Sequence, residues 1–364
     1  MDVVRLHVAP WALLLCASCL DFSPDPPLPE APRPPSPPQP QTGRGVRTFP
    51  PIVELTLPGR PPPRLSQTGL YSDIARKTLA PGVELFRPRY ELWSDGAAKT
   101  RWVLLPPGAK IDTQRMDRWH FPVGIKLWKE FTKDGKRLET RMLWKRAEPS
   151  FHDPGWEMQT YVWDETESEA FLDQDGVVDA RGTDHEVPRQ IDCNRCHRVE
   201  FEAPLGFDAV QLSGDGPGLR LRDLVLRGVL TVPPPSADGY TIPGDATARA
   251  ALGYLHANCG SCHAPDSDVF RDIDMSLRLE VGKLTTVTET PTYLTTVERR
   301  TTSIKAGAAG RIRIRRGNPL ESEVYQRMGI RMVGPESLMM PPLASHTVDE
   351  EGRRQVADWI RTLP

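Results

Sequence analysis

The stretches Cys193-Asn194-Arg195-Cys196-His197 and Cys259-Gly260-Ser261-Cys262-His263 repeat one pattern in a 364-residue chain that has only six cysteines. Cysteines at i and i+3 leave one side of a helical turn. Such a pair can form two thioether bonds to one porphyrin edge, while the next residue offers an imidazole to the iron. With 8 histidines in the chain, a given CxxC pair is followed by His by chance in about 2% of cases, so the repetition carries weight. The pattern reads as two covalent attachment sites for haem c. Cys193, Cys196, Cys259 and Cys262 supply the thioethers, and His197 and His263 are the proximal iron ligands. Three other readings stand beside it. Four cysteines can hold a structural zinc ion, although roughly 60 residues separate these pairs where ribbon sites prefer about 15 to 20. Disulfides are a second option in an oxidising compartment. A redox dithiol is the third, but the βαβ context it wants is missing.

An iron held by histidine on one side asks what sits on the other. Met339-Met340-Pro341-Pro342 stands just ahead of the C-terminal helix. A thioether is a soft, neutral ligand that favours reduced iron, and the prolines stiffen the loop that would aim it. Met340 is expected as the distal ligand of the second haem, ahead of Met339, with core packing of both as the plain alternative. For the first haem, no methionine or histidine occurs from Arg198 to Leu255. Its sixth position must come from Met142, Met158 or His185 upstream, from His256 downstream, or stay open. His256 reads equally well as an ordinary helix residue. Arg311-Ile312-Arg313-Ile314-Arg315-Arg316 alternates as a half-exposed strand with a solvated basic face would; pairing of these arginines with haem propionates is the sharper reading.

The elements that must position these groups are of two kinds. Residues 65–189 are rich in β-branched and aromatic residues with partial alternation, and Trp93, Trp102, Trp119, Trp128, Trp144, Trp156 and Trp163 all fall here. An antiparallel β-sandwich or open barrel is expected, with a tight turn at Lys133-Asp134-Gly135-Lys136. Its aromatics read as core before they read as a sugar platform. Residues 245–364 are expected to be helical at both ends. One helix is capped by Asp245; the other starts with a capping box from Thr347 to Glu350 and buries Val356, Trp359, Ile360 and Leu363. The two should cross, with Gly253 and Tyr254 meeting Trp359. The fold class is therefore α+β and multidomain, with residues 190–244 as the first haem-attachment segment between the two parts.

The N-terminus has an export layout: Arg5, then the apolar stretch Val8 to Leu15, then small residues. No apolar run reaches the length of about 20 residues that spans a bilayer. Cys16-Ala17-Ser18-Cys19 resembles a lipobox, so residues 1–19 read as a signal peptide and Cys19 as the lipidation site, with plain secretion or an uncleaved anchor as alternatives. Residues 20–64 are proline-rich and read as an extended tether. The expected location is the periplasm, or the outer membrane of a Gram-negative cell through that lipid. A net charge of -2 gives no electrostatic case for nucleic acid.

Several stretches together resemble a family of exported bacterial dihaem c-type cytochromes. They are Tyr90-Glu91-Leu92-Trp93-Ser94-Asp95-Gly96-Ala97, Arg101-Trp102, Phe121-Pro122-Val123-Gly124, Glu139-Thr140-Arg141, Tyr161-Val162-Trp163, Asn258-Cys259, Arg327-Met328 and Met340-Pro341-Pro342, with the first CxxCH. Ile125 and Met142 stand where other residues are usual. The resemblance covers the chain beyond the tether and implies a β-rich part followed by haem attachment; it implies no substrate. The C-terminal part also resembles class I cytochrome c, in its two terminal helices and its Met-Pro loop. Electron transfer with redox partner proteins at the cell envelope is the expected function. A dihaem peroxidase with one five-coordinate iron, or an envelope binding protein that carries haems, are the alternatives.

Overall fold

A short hairpin, β1 (Tyr71–Asp73) and β2 (Thr78–Leu79), precedes a six-stranded sheet whose strands pair antiparallel in chain order. These are β3 (Val83–Phe86), β4 (Ala98–Leu104), β5 (Lys126–Lys133), β6 (Lys136–Lys145), β7 (Trp156–Trp163) and β8 (Ala170–Asp173). Helices follow: α1 (Gln190–His197), α2 (Leu221–Leu226), α3 (Ala246–Asn258), α4 (Asp268–Ile273), α5 (Pro291–Thr296), α6 (Glu323–Met328) and α7 (Glu350–Thr362). This computed structural model describes residues 61–150, 153, 155–197, 202, 204–302, 310–332, 338–342 and 345–364. The expected signal peptide, the Cys19 lipid site and all but the last few residues of the tether lie outside them.

Strand alternation sorts the sheet into two faces. Trp102, Trp128 and Met142 are cross-strand partners in β4, β5 and β6, and they bury one face with Trp163, Tyr71 and Leu65. The next residue along each strand, Val103, Leu127 and Leu143, points the other way and packs towards Trp156, Phe207 and Leu221. Between β5 and β6 the chain turns through Asp134 at φ 51° and Gly135 at φ 72°. Two positive φ values in a two-residue loop are what a twisted hairpin demands, which explains the Asp-Gly pair.

The expectation of a sandwich or barrel is corrected here. Strands β3 to β8 form one open sheet that does not close on itself. No second sheet is needed because other parts of the chain cover each face. The segment Leu65–Tyr71 lies on one side; on the other, the stretch from Phe207 to Leu230, with α2, supplies the apolar cover. The α+β class itself holds. The arginine-rich run is also not a strand. Ile312 and Ile314 form only isolated bridges, and Arg313 is buried with its guanidinium on the carbonyls of Asp274 and Thr295.

The helical core forms around Leu252, Leu255, Val356, Trp359 and Ile360, where α3 packs directly on α7. Asp245 caps α3, its carboxylate accepting the Ala248 N–H at 2.8 Å. At α7 the cap is Asp349, accepting from Gly352 at 2.9 Å, and not the expected Thr347. Thr347 is drawn away: its hydroxyl donates to Asp95 at 3.0 Å. At the expected crossing of α3 and α7, Tyr254 packs against the cluster that holds Trp359, and two glycines admit aromatic rings. Gly253 lies under the Tyr90 ring and Tyr254 over Gly352; a Cβ at either glycine would stand about 2 Å from ring atoms.

Candidate functional site

Helix α1 carries the first attachment motif, as its i, i+3 spacing requires, and it packs against β7, where Gln190 donates to the Met158 carbonyl at 3.1 Å. Cys193 and His197 open on a cavity of about 490 Å³ over the Leu127–Leu143 face of the sheet. That volume lies in the range of small-molecule and cofactor pockets. Its walls are largely apolar, with Phe86, Leu92, Trp93, Leu127, Leu143 and Leu205, and they carry the charged side chains Arg101, Lys129 and Arg141. The Cys196 side chain is outside the described residues.

The residues expected as sixth ligand for a haem at this motif differ in where they stand. Met142 is 1% exposed in the tryptophan cluster of the opposite face, although it also contributes to the cavity's lining. Met158 pairs with Leu143 on the cavity side and is half-buried there. His185 lines the cavity, but its Nε2 is engaged by Glu139 Oε1 at 2.7 Å. His256 is not on this cavity: it lines a second one of about 290 Å³, and its Nδ1 accepts the Leu279 N–H at 3.1 Å. Two further donors reach the first cavity from the far end of the chain, Met339 and His346, and the sequence had not placed them there.

The second motif starts where α3 ends. Cys259 is its C-cap, and the His263 N–H donates to the Cys259 carbonyl at 2.9 Å, so the turn stays helical through the imidazole. Gly260 permits a close approach: a Cβ there would sit 2.6 Å from the His256 carbonyl and 3.0 Å from Arg278 Cα. His263 is buried, and its Nδ1 has no hydrogen-bond partner. Burial, with Arg313 and Arg327 beside it, holds this imidazole neutral with its pKa down to about 4. Arg327 also links this site to the expected distal loop, its carbonyl accepting the Met340 N–H at 3.2 Å. Met340 is half-buried, while Met339 is 5% exposed and turned to the first cavity.

Cys193, Cys259 and Cys262 are free thiols. Burial raises the pKa of all three, and pushes Cys259 up to about 12. Among the described residues no group of three or more His, Cys, Asp and Glu is placed to hold a metal ion.

The stretch that carried much of the family resemblance has a structural explanation. The Trp93 N–H donates to Asn258 Oδ1 at 2.7 Å, and Asn258 Nδ2 returns to the Glu91 carbonyl at 3.2 Å. Asp95 accepts from the His346 N–H at 2.9 Å and the Thr347 N–H at 2.9 Å. Residues 90–97 thus tie the end of α3, next to Cys259, to the loop ahead of α7. Compared with known proteins, the chain matches no family model, no curated protein and no solved structure.

Proposed function

We propose that this chain is an exported dihaem c-type cytochrome that transfers electrons at the cell envelope between redox partner proteins. The observation that carries the reading is the repeated CxxCH on helical turns, the first of them opening on a large apolar cavity with a cationic wall. Such a cavity fits a flat, apolar cofactor with acid groups. At the second motif the buried His263, whose Nδ1 has no protein partner, fits an imidazole reserved for a bound group.

In this reading Cys193, Cys196, Cys259 and Cys262 hold two haem c groups, and His197 and His263 are the proximal ligands. Met340 is the distal ligand of the second haem, in a C-terminal part built like a class I cytochrome c. Haem c supplies one-electron chemistry at iron when bound. The chain's own residues set the dielectric and the charge around it: apolar walls exclude water, and Arg101, Lys129 and Arg141 place positive charge beside the first group. The membrane is met only through the lipid on Cys19, and nucleic acid is no partner.

Expression of the full chain with a haem-c maturation apparatus tests this. Intact mass should show two porphyrin additions, and magnetic circular dichroism should show methionine ligation that Met340→Ala removes from one haem. A matured chain without porphyrin overturns the proposal.

A further inference from the structure

The first cavity holds more positive charge than its own carboxylates match. Arg101, Lys129 and Arg141 are consecutive cross-strand partners in β4, β5 and β6, so their side chains leave one face of the sheet side by side. Like charges opposite one another destabilise a sheet. Arg141 is matched by Glu139, at 2.6 and 2.7 Å. Arg101, 4% exposed, reaches Glu91 Oε2 only at 3.5 Å, and its Nη1 makes no hydrogen bond. Lys129 Nζ lies over the Phe131 ring at 5.2 Å, and among the described residues it makes no hydrogen bond or ion pair. Burial, with Arg141, Arg101 and Lys99 beside it and Glu139 opposing them, disfavours its charged form. The remaining cavity acids have other partners. Asp95 caps the loop at His346 and Thr347, Glu186 meets His346 at 2.5 Å, and Asp192 meets Arg189 at 3.0 Å.

A cation drawn out of water without a close counter-charge is costly, and in this row the half-buried Lys129 has no ion pair while the buried Arg101 has only a long one. We propose that Arg101, Lys129 and Arg141 form a carboxylate-binding row that takes the propionates of the porphyrin attached at Cys193 and Cys196. This rests on the haem reading of the cavity. It moves propionate recognition from the arginines of residues 311–316, whose side chains already have hydrogen-bond partners, to the inner face of the sheet.

The test uses the full, matured chain and reads each haem by spectroelectrochemistry. A positive charge beside iron disfavours the ferric state, so Lys129→Met lowers the potential of one haem and leaves the other in place. Lys129→Arg restores it. Arg101→Gln gives the same direction, as a second variant should Lys129→Met accumulate poorly. Before haem attachment the sign on stability reverses: Lys129→Met raises the melting temperature of the unmatured chain, because a like-charge contact is lost with no anion to replace it. Two porphyrins by mass with both potentials unmoved by Lys129→Met and Arg101→Gln overturn this assignment and leave the cytochrome reading standing. A chain with no porphyrin on Cys193 and Cys196 overturns both.

Discussion

Glu139 shows how one side chain can organise a cavity wall. It is fully buried on β6 and accepts from Arg141 on one side and pairs with His185 on the other. Burial alone would raise its carboxyl; Arg141 and His185 outweigh burial and hold it down at about 2. In the unfolded chain the same carboxyl titrates near ~4.3. Between those values the unfolded state binds more protons, so this contribution is complete above about pH 5 and is lost as pH falls towards 2. Acid titration of the thermal melt should show that loss in the parent chain, and Glu139→Gln should flatten it. The same variant leaves the Arg141 guanidinium without its anion and should cost about 1–3 kcal/mol at neutral pH, read by denaturant unfolding. Met142 provides the contrast. It is equally buried, but it belongs to the tryptophan face, so Met142→Leu should leave the spectrum of the haem proposed at Cys193 unchanged and cost less than about 1.5 kcal/mol. A changed ligand-field band in that variant would contradict the assignment of strand faces.

At the scale of elements, the loop ahead of α7 is held by one carboxylate from the strand region. Asp95 satisfies two backbone N–H groups and the Thr347 hydroxyl, and it is itself at φ 49°, followed by Gly96 at φ 76°. Asp95→Ala leaves these donors unmatched and should cost about 1–3 kcal/mol in the thermal melt, with the Met340 loop loosened. Loss of the methionine band before global unfolding would be the spectroscopic sign of it. Where α3 meets α7 the interaction is apolar. Trp359 is 1% exposed among Leu252, Leu255 and Ile360, and Trp359→Ala should cost about 3–5 kcal/mol by the same melt.

For the molecule as a whole, residues 56–364 form one compact unit, and polar contacts cross from the sheet region into the helical core at several places. Tyr90 covers Gly253, Trp93 and Glu91 bracket Asn258, Asp117 accepts the Val281 N–H at 2.7 Å, and Arg118 pairs with Asp266. A fragment of residues 245–364 loses all of these partners and exposes the α3 groove that the Tyr90 ring fills. Expressed and matured alone, it should melt well below the full chain, and adding residues 65–189 in trans should not restore the difference fully, since Phe207 to Leu230 are also missing. Equal melting temperatures would show that the helical core stands by itself.

The sequence by itself determined the local geometry. The i, i+3 cysteines with a following histidine specify a helical turn, and α1 and the turn after α3 have that form. Asp245 as a cap, Asp134-Gly135 as a turn and the alternating tryptophans as core follow from rules that act within a few residues. Only the tertiary structure decided what those local pieces face. The sheet stays open because residues 65–71 and 207–230 arrive to cover it, and Thr347 gives up its capping role because Asp95 arrives from 252 positions away. The row of Arg101, Lys129 and Arg141 exists only through register across three strands, which no spacing along one strand reports. The physical reason is that helical turns and tight hairpins are short-range, while sheet register and cavity walls depend on segments far apart in the chain that must bury one another.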